Sequence, residues 1–493
     1  MKLKIKFLDW SAGLPVAMLD KKTAQKIGVH LKDRILIKTS QKDKKEFSTI
    51  VDIVEGLVKP NEIAVTSEIK EILNLKSNQR VAVSLAQTPK SLEYIKGKLN
   101  KKKFTREEIF EVIRDIVDNS LSEAEIALFI SAMYEQGMTF YETVNLIDAI
   151  LASGEKLRPK KKYVVDKHCI GGIPGNRTTP LVVAICAAAG LTMPKTSSRA
   201  ITSAAGTADV IETVAEVSFE MKKVEKIINK TNACLVWGGA LGMVPADSKI
   251  IQVEKLLKID PQAQLLASIM SKKLAVGSKY ILIDLPYGKT AKVKKEMALE
   301  LKKQFEKLGK SFGVELKCVL TDGSQPIGNG VGPVLEMMDI IDILNPKKQG
   351  PQDLEEKSLF LSGQLFEMTG KAERGKGKQM AREILYSGKA FEKFKEIIKA
   401  QKGDLNRLKG TKLKKNILVS KNIKVKEMDN KKINTLARIA GCPVDKFAGL
   451  YLHAHVGGKV KKGEPLLTLY SENRHRLKAA MKYYKKEKPI IFK

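Results

Sequence analysis

Cysteine is scarce and scattered in this chain: Cys169, Cys186, Cys234, Cys318 and Cys442 form no CxxC pair. That spacing argues against a disulfide framework and against a zinc site built on cysteines, and it fits a reducing compartment. Aromatic residues are only 6% of the chain, too few to offer stacking platforms to single-stranded nucleic acid. No run of about 18 apolar residues occurs, so no membrane-spanning helix is expected. The stretch "MKLKIKFLDW" lacks the apolar centre and small-residue cleavage site of a secretory leader, and a cytoplasmic location is expected. Acidic residues are outnumbered 55 to 88 by lysine and arginine, leaving a formal net charge of +33. The lysines lie in dispersed runs such as "KKK" and "KDKK" without interleaved aromatics, the pattern of a solvated basic surface. Nucleic acid is therefore not the expected partner, and a basic nucleic-acid-binding protein using residues 1–88 stands only as an alternative.

With 493 residues, 43% of them hydrophobic, the chain can build two to four domains around sizeable cores. Residues 1–88 hold an internal repeat. "LDKKTAQKIGVHLKDRILIK" from Leu19 and "VTSEIKEILNLKSNQRVAVS" from Val65 align without gaps at an offset of 46. Each copy reads as a short helix, a turn and a β-branched strand, which predicts a small pseudo-symmetric β-barrel. Thr105 with Glu108, Ser122 with Glu125 and Thr139 with Glu142 then match the capping-box spacing ahead of apolar runs, predicting at least three helices. From about Tyr163 the period changes. "YVVD", "YILIDLP" and "VELKCVLTD" read as strands between helical stretches, the alternation of a mostly parallel α/β sheet. After about Gly410 short strands and turns predict a β-rich end domain, and "HAH" at His453–His455 reads as structural.

Three stretches can carry chemistry. "KHCIGGIPGNRTT" (167–179) fails as a P-loop, because Asn176 and Arg177 replace its second glycine and lysine. Its glycines still let backbone N–H groups approach an oxyanion ahead of a helix. "SSRAITSAAGTADVIE" (197–212) supplies hydroxyls, a guanidinium and small residues that expose backbone, a composition suited to phosphate or ribose. "LLKIDPQAQLLASIMSKKLA" offers Asp260, Ser268 and Lys272, with helix capping as the structural alternative for Asp260. No cluster of His, Asp and Glu suggests a metal, and no cofactor is implied.

The order "KHCIGGIPGN", "SSRAITSAAGTADVIE", "ASIMSKKLAVG", "TDGSQPIGNGVGPVLEMMDII" resembles the thymidine/pyrimidine-nucleoside phosphorylase family over roughly residues 90–490. The extra amino-terminal domain and "SRAITSAAGT" are similar to its archaeal AMP-phosphorylase branch, where the pyrimidine enzymes have SGRGLGHTGGT. Val253 stands where those enzymes carry a base-reading arginine. The resemblance implies a helical domain (89–160, with a later segment near 246–275) facing a larger, mostly parallel α/β domain (161–405) across a closing cleft. A β-barrel-like domain (1–88) precedes them and a β-rich carboxy-terminal domain (406–493) follows. It implies conversion of AMP and inorganic phosphate to adenine and ribose 1,5-bisphosphate, with CMP and UMP as further substrates and a homo-oligomer built from dimers. Asp260 would be the proton donor. Gly172, Ser198, Arg199, Ala200, Ile201, Thr202, Ser203, Thr207, Ser268 and Lys292 would contact the nucleotide, and Lys167 and His168 the attacking phosphate. A thymidine/pyrimidine-nucleoside phosphorylase is the alternative within the family.

Overall fold

A computed structural model describes residues 1–8, 15–39, 45–200, 203–408 and 413–493. Among them the chain forms two units, residues 1–154 with 244–268, and residues 155–243 with 269–493.

The first unit begins with β1 (Lys2–Phe7), β2 (Ala17–Asp20), α1 (Lys21–Ile27), β3 (Arg34–Thr39), β4 (Glu46–Val54), β5 (Glu62–Val65), α2 (Ser67–Leu73) and β6 (Arg80–Leu85). The six strands close into a barrel in the order β1-β5-β2-β4-β3-β6. The repeat explains the closure. Both short helices end on a left-handed residue, Gly28 and Asn74, separated by the repeat offset. Glycine and asparagine are the residues that adopt that conformation at low cost. The repeat-related Ile37 and Val83 sit opposite one another where β3 pairs antiparallel with β6, and both are buried. Period-two burial of Leu3, Ile5, Ile35, Ile37, Val81 and Val83 fills the interior.

Helices α3 (Ser91–Leu99), α4 (Arg106–Val117), α5 (Glu123–Gln136) and α6 (Phe140–Ala152) follow. All three capping boxes predicted from the sequence are formed, at Thr105/Glu108, Ser122/Glu125 and Thr139/Glu142. Two cap carboxylates have second duties. Glu125 pairs with Arg34 of the barrel at 2.5 Å, and buried Glu142 accepts from Lys98 Nζ and Phe104 N, each at 2.8 Å.

The second unit opens with β7 (Val165–Cys169), α7 (Thr178–Ala188), β8 (Met193–Ser197), α8 (Thr207–Ile211), α9 (Met221–Thr231) and β9 (Ala233–Trp237). The chain then supplies α10 (Pro245–Leu257) to the first unit and enters α11 (Gln262–Ala275), which runs from one unit into the other. Then come β10 (Tyr280–Tyr287), α12 (Lys295–Ser311), β11 (Glu315–Asp322), β12 (Gly330–Val331), α13 (Pro333–Leu344) and α14 (Gln352–Met368). Strands β11-β10-β7 and β8-β9 pair parallel, and a Val164–Thr192 bridge links the two sets. Helix α7 is buried on every side, as its unbroken apolar sequence requires.

Beyond α15 (Gly377–Tyr386) and α16 (Lys389–Ala400), the end of the chain forms β13 (Lys414–Leu418), β14 (Ile423–Met428), α17 (Asn430–Ala440), β15 (Gly449–Leu452), β16 (Lys459–Val460), β17 (Pro465–Tyr470), α18 (Arg474–Glu487) and β18 (Ile490–Phe492). Its strands pair antiparallel around a separate core that includes Val425, Leu436, Leu450 and Leu467. β12, from the "GNGV" stretch, joins this sheet by pairing with β15. His453 and His455 bond Thr468 and Asn329 at 2.8 and 3.1 Å, a structural use of both rings. No described helix is long and apolar enough to cross a membrane.

Candidate active site

The loop between β7 and α7 is shaped by its glycines. Gly171 and Gly172 both have positive φ, +88° and +91°. A Cβ on Gly172 would lie 2.8 Å from both Cβ and N of Lys292. The loop therefore seats directly on the exposed lysine that the family resemblance implicates, and only glycine permits both the turn and the approach. Gly172→Ala is expected to add about 1–2 kcal/mol of backbone strain and push Lys292 aside. A fall in kcat/KM of about tenfold or more, with the circular dichroism spectrum unchanged, checks this.

Beneath the loop lies a set of buried charges that sequence reasoning saw only in part. Lys167, fully buried, donates from Nζ to Thr178 Oγ1 at 2.6 Å, at the start of α7. Burial lowers its pKa to about 8 despite the attraction of Asp284. Asp284, buried on the neighbouring β10, pairs with Lys357 of α14 at 3.0 Å and accepts from Thr321 Oγ1 at 2.6 Å. Asp166, adjacent to Lys167 in sequence, is bridged by Lys195 at 2.8 Å and Lys273 at 2.9 Å. Burial alone would raise the Asp166 carboxyl, but the two lysines outweigh it and hold it below its ordinary value. Lys195 also donates to the Lys167 carbonyl at 2.7 Å. His168 is driven well below its usual pKa by burial and by Lys273, Lys195, Lys272 and Lys167, so it works as a neutral donor or acceptor. Neutral here, it adds hydrogen bonding rather than charge.

The hydroxyl-rich stretch folds back on itself. Buried Asp209 accepts from Ala200 N at 2.7 Å and Gly206 N at 2.9 Å, closing the loop at its base. Ser198 is exposed, Ala200 and Ser203 are half-buried, and Ser203 Oγ donates to the Ala205 carbonyl. Ile201 and Thr202 lie outside the described residues. Thr207 Oγ1 accepts from Arg177 at 3.0 Å, which turns its own proton outward. Arg177 also donates to Ala205 O and, at 2.6 Å, to buried Glu336 of α13, tying the glycine loop to this segment. The sequence reading treated Arg177 only as a P-loop mismatch. A carboxylate inside the apolar run of α13 was the signal that it needed a buried partner.

Arg199 is held by acidic partners. Rather than supplying spare charge, it pairs with Glu212 at 2.5 Å and Asp209 at 3.3 Å and lies 5.0 Å over the Trp237 ring. Arg199 first, then Lys446, bring the Glu212 carboxyl down to about 2, against the effect of burial. This ion pair fixes the segment.

Asp260 is exposed and stands one residue before Pro261, with α11 beginning at Gln262. Ser268 is half-buried on α11, as is Lys272 further along that helix. The structure thus brings Lys167, His168, Gly172, Lys292 and Thr207 around one loop and its neighbours in the second unit, while Asp260 and Ser268 belong to the first. Among the described residues no group of three His, Cys, Asp or Glu side chains is placed to hold a metal.

Sequence comparisons define the class. A glycosyl transferase family helical bundle domain matches residues 92–154, the a/b domain of the glycosyl transferase family matches 161–391, and a pyrimidine nucleoside phosphorylase C-terminal domain matches 424–490. The fold is shared with anthranilate phosphoribosyltransferase of Thermus thermophilus, with a TM-score of 0.53 and 18% identity over 62% of this chain and 99% of that one. The chain is thus a member of the glycosyl transferase family whose helical bundle accompanies an α/β domain. Its relatives include AMP phosphorylases of Thermococcus kodakarensis, 43% identical over 99% of this chain and 97% of that protein, and of Methanococcus aeolicus, 40% identical over the same shares. A putative thymidine phosphorylase of Legionella pneumophila (strain Corby) is 41% identical over 90% of this chain and 86% of its own length. The chain belongs to the AMP phosphorylase branch of the thymidine/pyrimidine-nucleoside phosphorylase family.

Proposed function

We propose that the chain cleaves nucleoside 5′-monophosphates with inorganic phosphate, converting AMP to adenine and ribose 1,5-bisphosphate, and accepts CMP and UMP as well. The observation that carries this reading is the end-to-end relationship to AMP phosphorylases. The site supplies chemistry that agrees with it. A phosphate oxygen bonds to C1′ as the C1′–N bond breaks, and its electron pair leaves with the base. The glycine loop and Lys292, above Lys167 and neutral His168, suit the anionic groups. Asp260 delivers a proton to the departing base, Ser268 contacts the nucleotide, Ser198 and Thr207 supply hydroxyl donors, and Ala200 and Ser203 line the nucleotide from the same segment. We place the enzyme in the cytoplasm as an oligomer built from dimers.

The test is base release from AMP, CMP, UMP, adenosine and thymidine, with and without phosphate. AMP is expected to react only when phosphate is present. Adenine release at equal rate without phosphate would make the chain a hydrolase. The Legionella relative named for thymidine gives the second reading its footing, and preferential cleavage of thymidine would establish it.

A further inference from the structure

The buried charges behind β7 do not balance. Lys167, Lys195, Lys273 and Lys357 face Asp166 and Asp284, two more amines than carboxylates in a region where five of the six side chains are buried and Lys357 is 9% exposed. Uncompensated buried charge costs several kcal/mol per ion. Each carboxylate faces two lysines: Asp166 is bridged by Lys195 and Lys273, while Asp284 pairs with Lys357 and is also held down by Lys167. The Asp166 group lies directly behind the strand end that presents Lys167 and His168. Among the described residues Lys195 on β8 adds positive charge beside Lys273, and Lys273, Lys195, Lys272 and Lys167 together act on His168.

We propose that this buried cluster obtains its missing counter-charge from the attacking phosphate, and that Lys273 Nζ takes up a solvent proton as the dianion arrives. Lys195 and Lys273 are then positioning residues for the nucleophile: they set the charge of its site without being assigned to touch it. The proposal rests on the phosphorylase reading. In the absence of an anion, burial lowers Lys273 to about 7, so near neutral pH part of the population is uncharged and able to accept the proton. The same condition makes the ligand-free protein's stability pH-dependent. The unfolded chain holds a proton that the folded chain lacks between about pH 7 and the ordinary lysine range, so stability rises with pH across that window. Bound dianion flattens the rise.

The experiment is calorimetric titration of the full-length protein at pH 8 with inorganic phosphate, and separately with sulfate, in two buffers of different ionisation enthalpy. Sulfate has no titratable proton in this range, so a proton bound along with it must sit on the protein. The unmodified protein is expected to take up protons with either anion. Lys273→Met leaves Asp166 still paired with Lys195, so folding is expected to survive. It should lose most of the uptake and weaken phosphate binding at least tenfold, while KM for AMP moves by less than about threefold. Lys195→Met is the second variant and should also weaken phosphate more than AMP. Anion binding without proton uptake by the unmodified protein overturns the proposal whatever the variants do. Phosphorolysis with unchanged phosphate affinity in Lys273→Met overturns it and leaves the phosphorylase reading intact. An unmodified protein that binds no phosphate and cleaves AMP without it removes both.

Discussion

Asp260→Asn is expected to lower kcat by about 10²-fold or more while nucleotide binding stays within a few-fold. Adenine is a poor leaving group as an anion, so the C1′–N bond breaks readily only when a proton reaches the base. An amide keeps the size and hydrogen-bonding outline of the carboxyl but has no proton to deliver at neutral pH. Asp260 is exposed, and it lies one residue upstream of the position that would cap α11. A capping role predicts the opposite pattern, with the melting temperature lowered and turnover spared. Steady-state kinetics and thermal melting of the one variant separate the two.

AMP is expected to exceed adenosine by at least about 10²-fold in kcat/KM, because a hydrogen bond to a charged group contributes roughly 1.5–3 kcal/mol and more than one is available. With the attacking phosphate proposed at Lys167 and His168, we propose that the 5′-phosphate meets Lys292, against which Gly172 packs. Energy gained from the non-reacting phosphate also holds the sugar in its reactive pose, so kcat should fall along with affinity when it is missing. Lys292→Met should narrow the ratio by removing charge that only AMP uses. Arg199→Met should not act this way. Its guanidinium is matched by Glu212 and Asp209, so its loss should loosen the 198–206 segment and affect AMP and adenosine alike. Equal kcat/KM for both substrates in the unmodified protein would contradict the assignment.

Local signals proved legible and long-range charge pairing did not. The capping boxes at Thr105, Ser122 and Thr139 need only a hydroxyl and a carboxylate three residues apart, and all three formed. The 46-residue repeat foretold two equivalent units of short helix, turn and strand, and their strands β3 and β6 pair in the barrel. "IGGIPG" announced a loop of unusual backbone, and Gly171 and Gly172 have the positive φ it requires. The cluster behind β7 was hidden for a physical reason. In "VDKHC" adjacent charged residues point to opposite faces, and alternation ordinarily puts one of them in water. A parallel strand covered on both faces buries both, so Asp166 and Lys167 each needed partners from distant segments. Lys195, Lys273, Asp284 and Lys357 lie between 28 and 190 positions along from Lys167 and share no sequence pattern with it. The "KK" doublet on α11 gave no hint that Lys273 would turn inward to Asp166. The pairing of Arg199 was hidden too: its partner Glu212 sits at the far end of the same stretch, thirteen positions on.

The most direct test of the central claim is the sugar product formed from AMP in the presence of ¹⁸O-labelled inorganic phosphate, identified by mass spectrometry. A phosphorylase acting on the intact nucleotide predicts a ribose bisphosphate with one labelled and one unlabelled phosphate, released in equal amount with adenine. Unlabelled ribose 5-phosphate as the first product would show that water, not phosphate, attacks C1′ and would contradict the account.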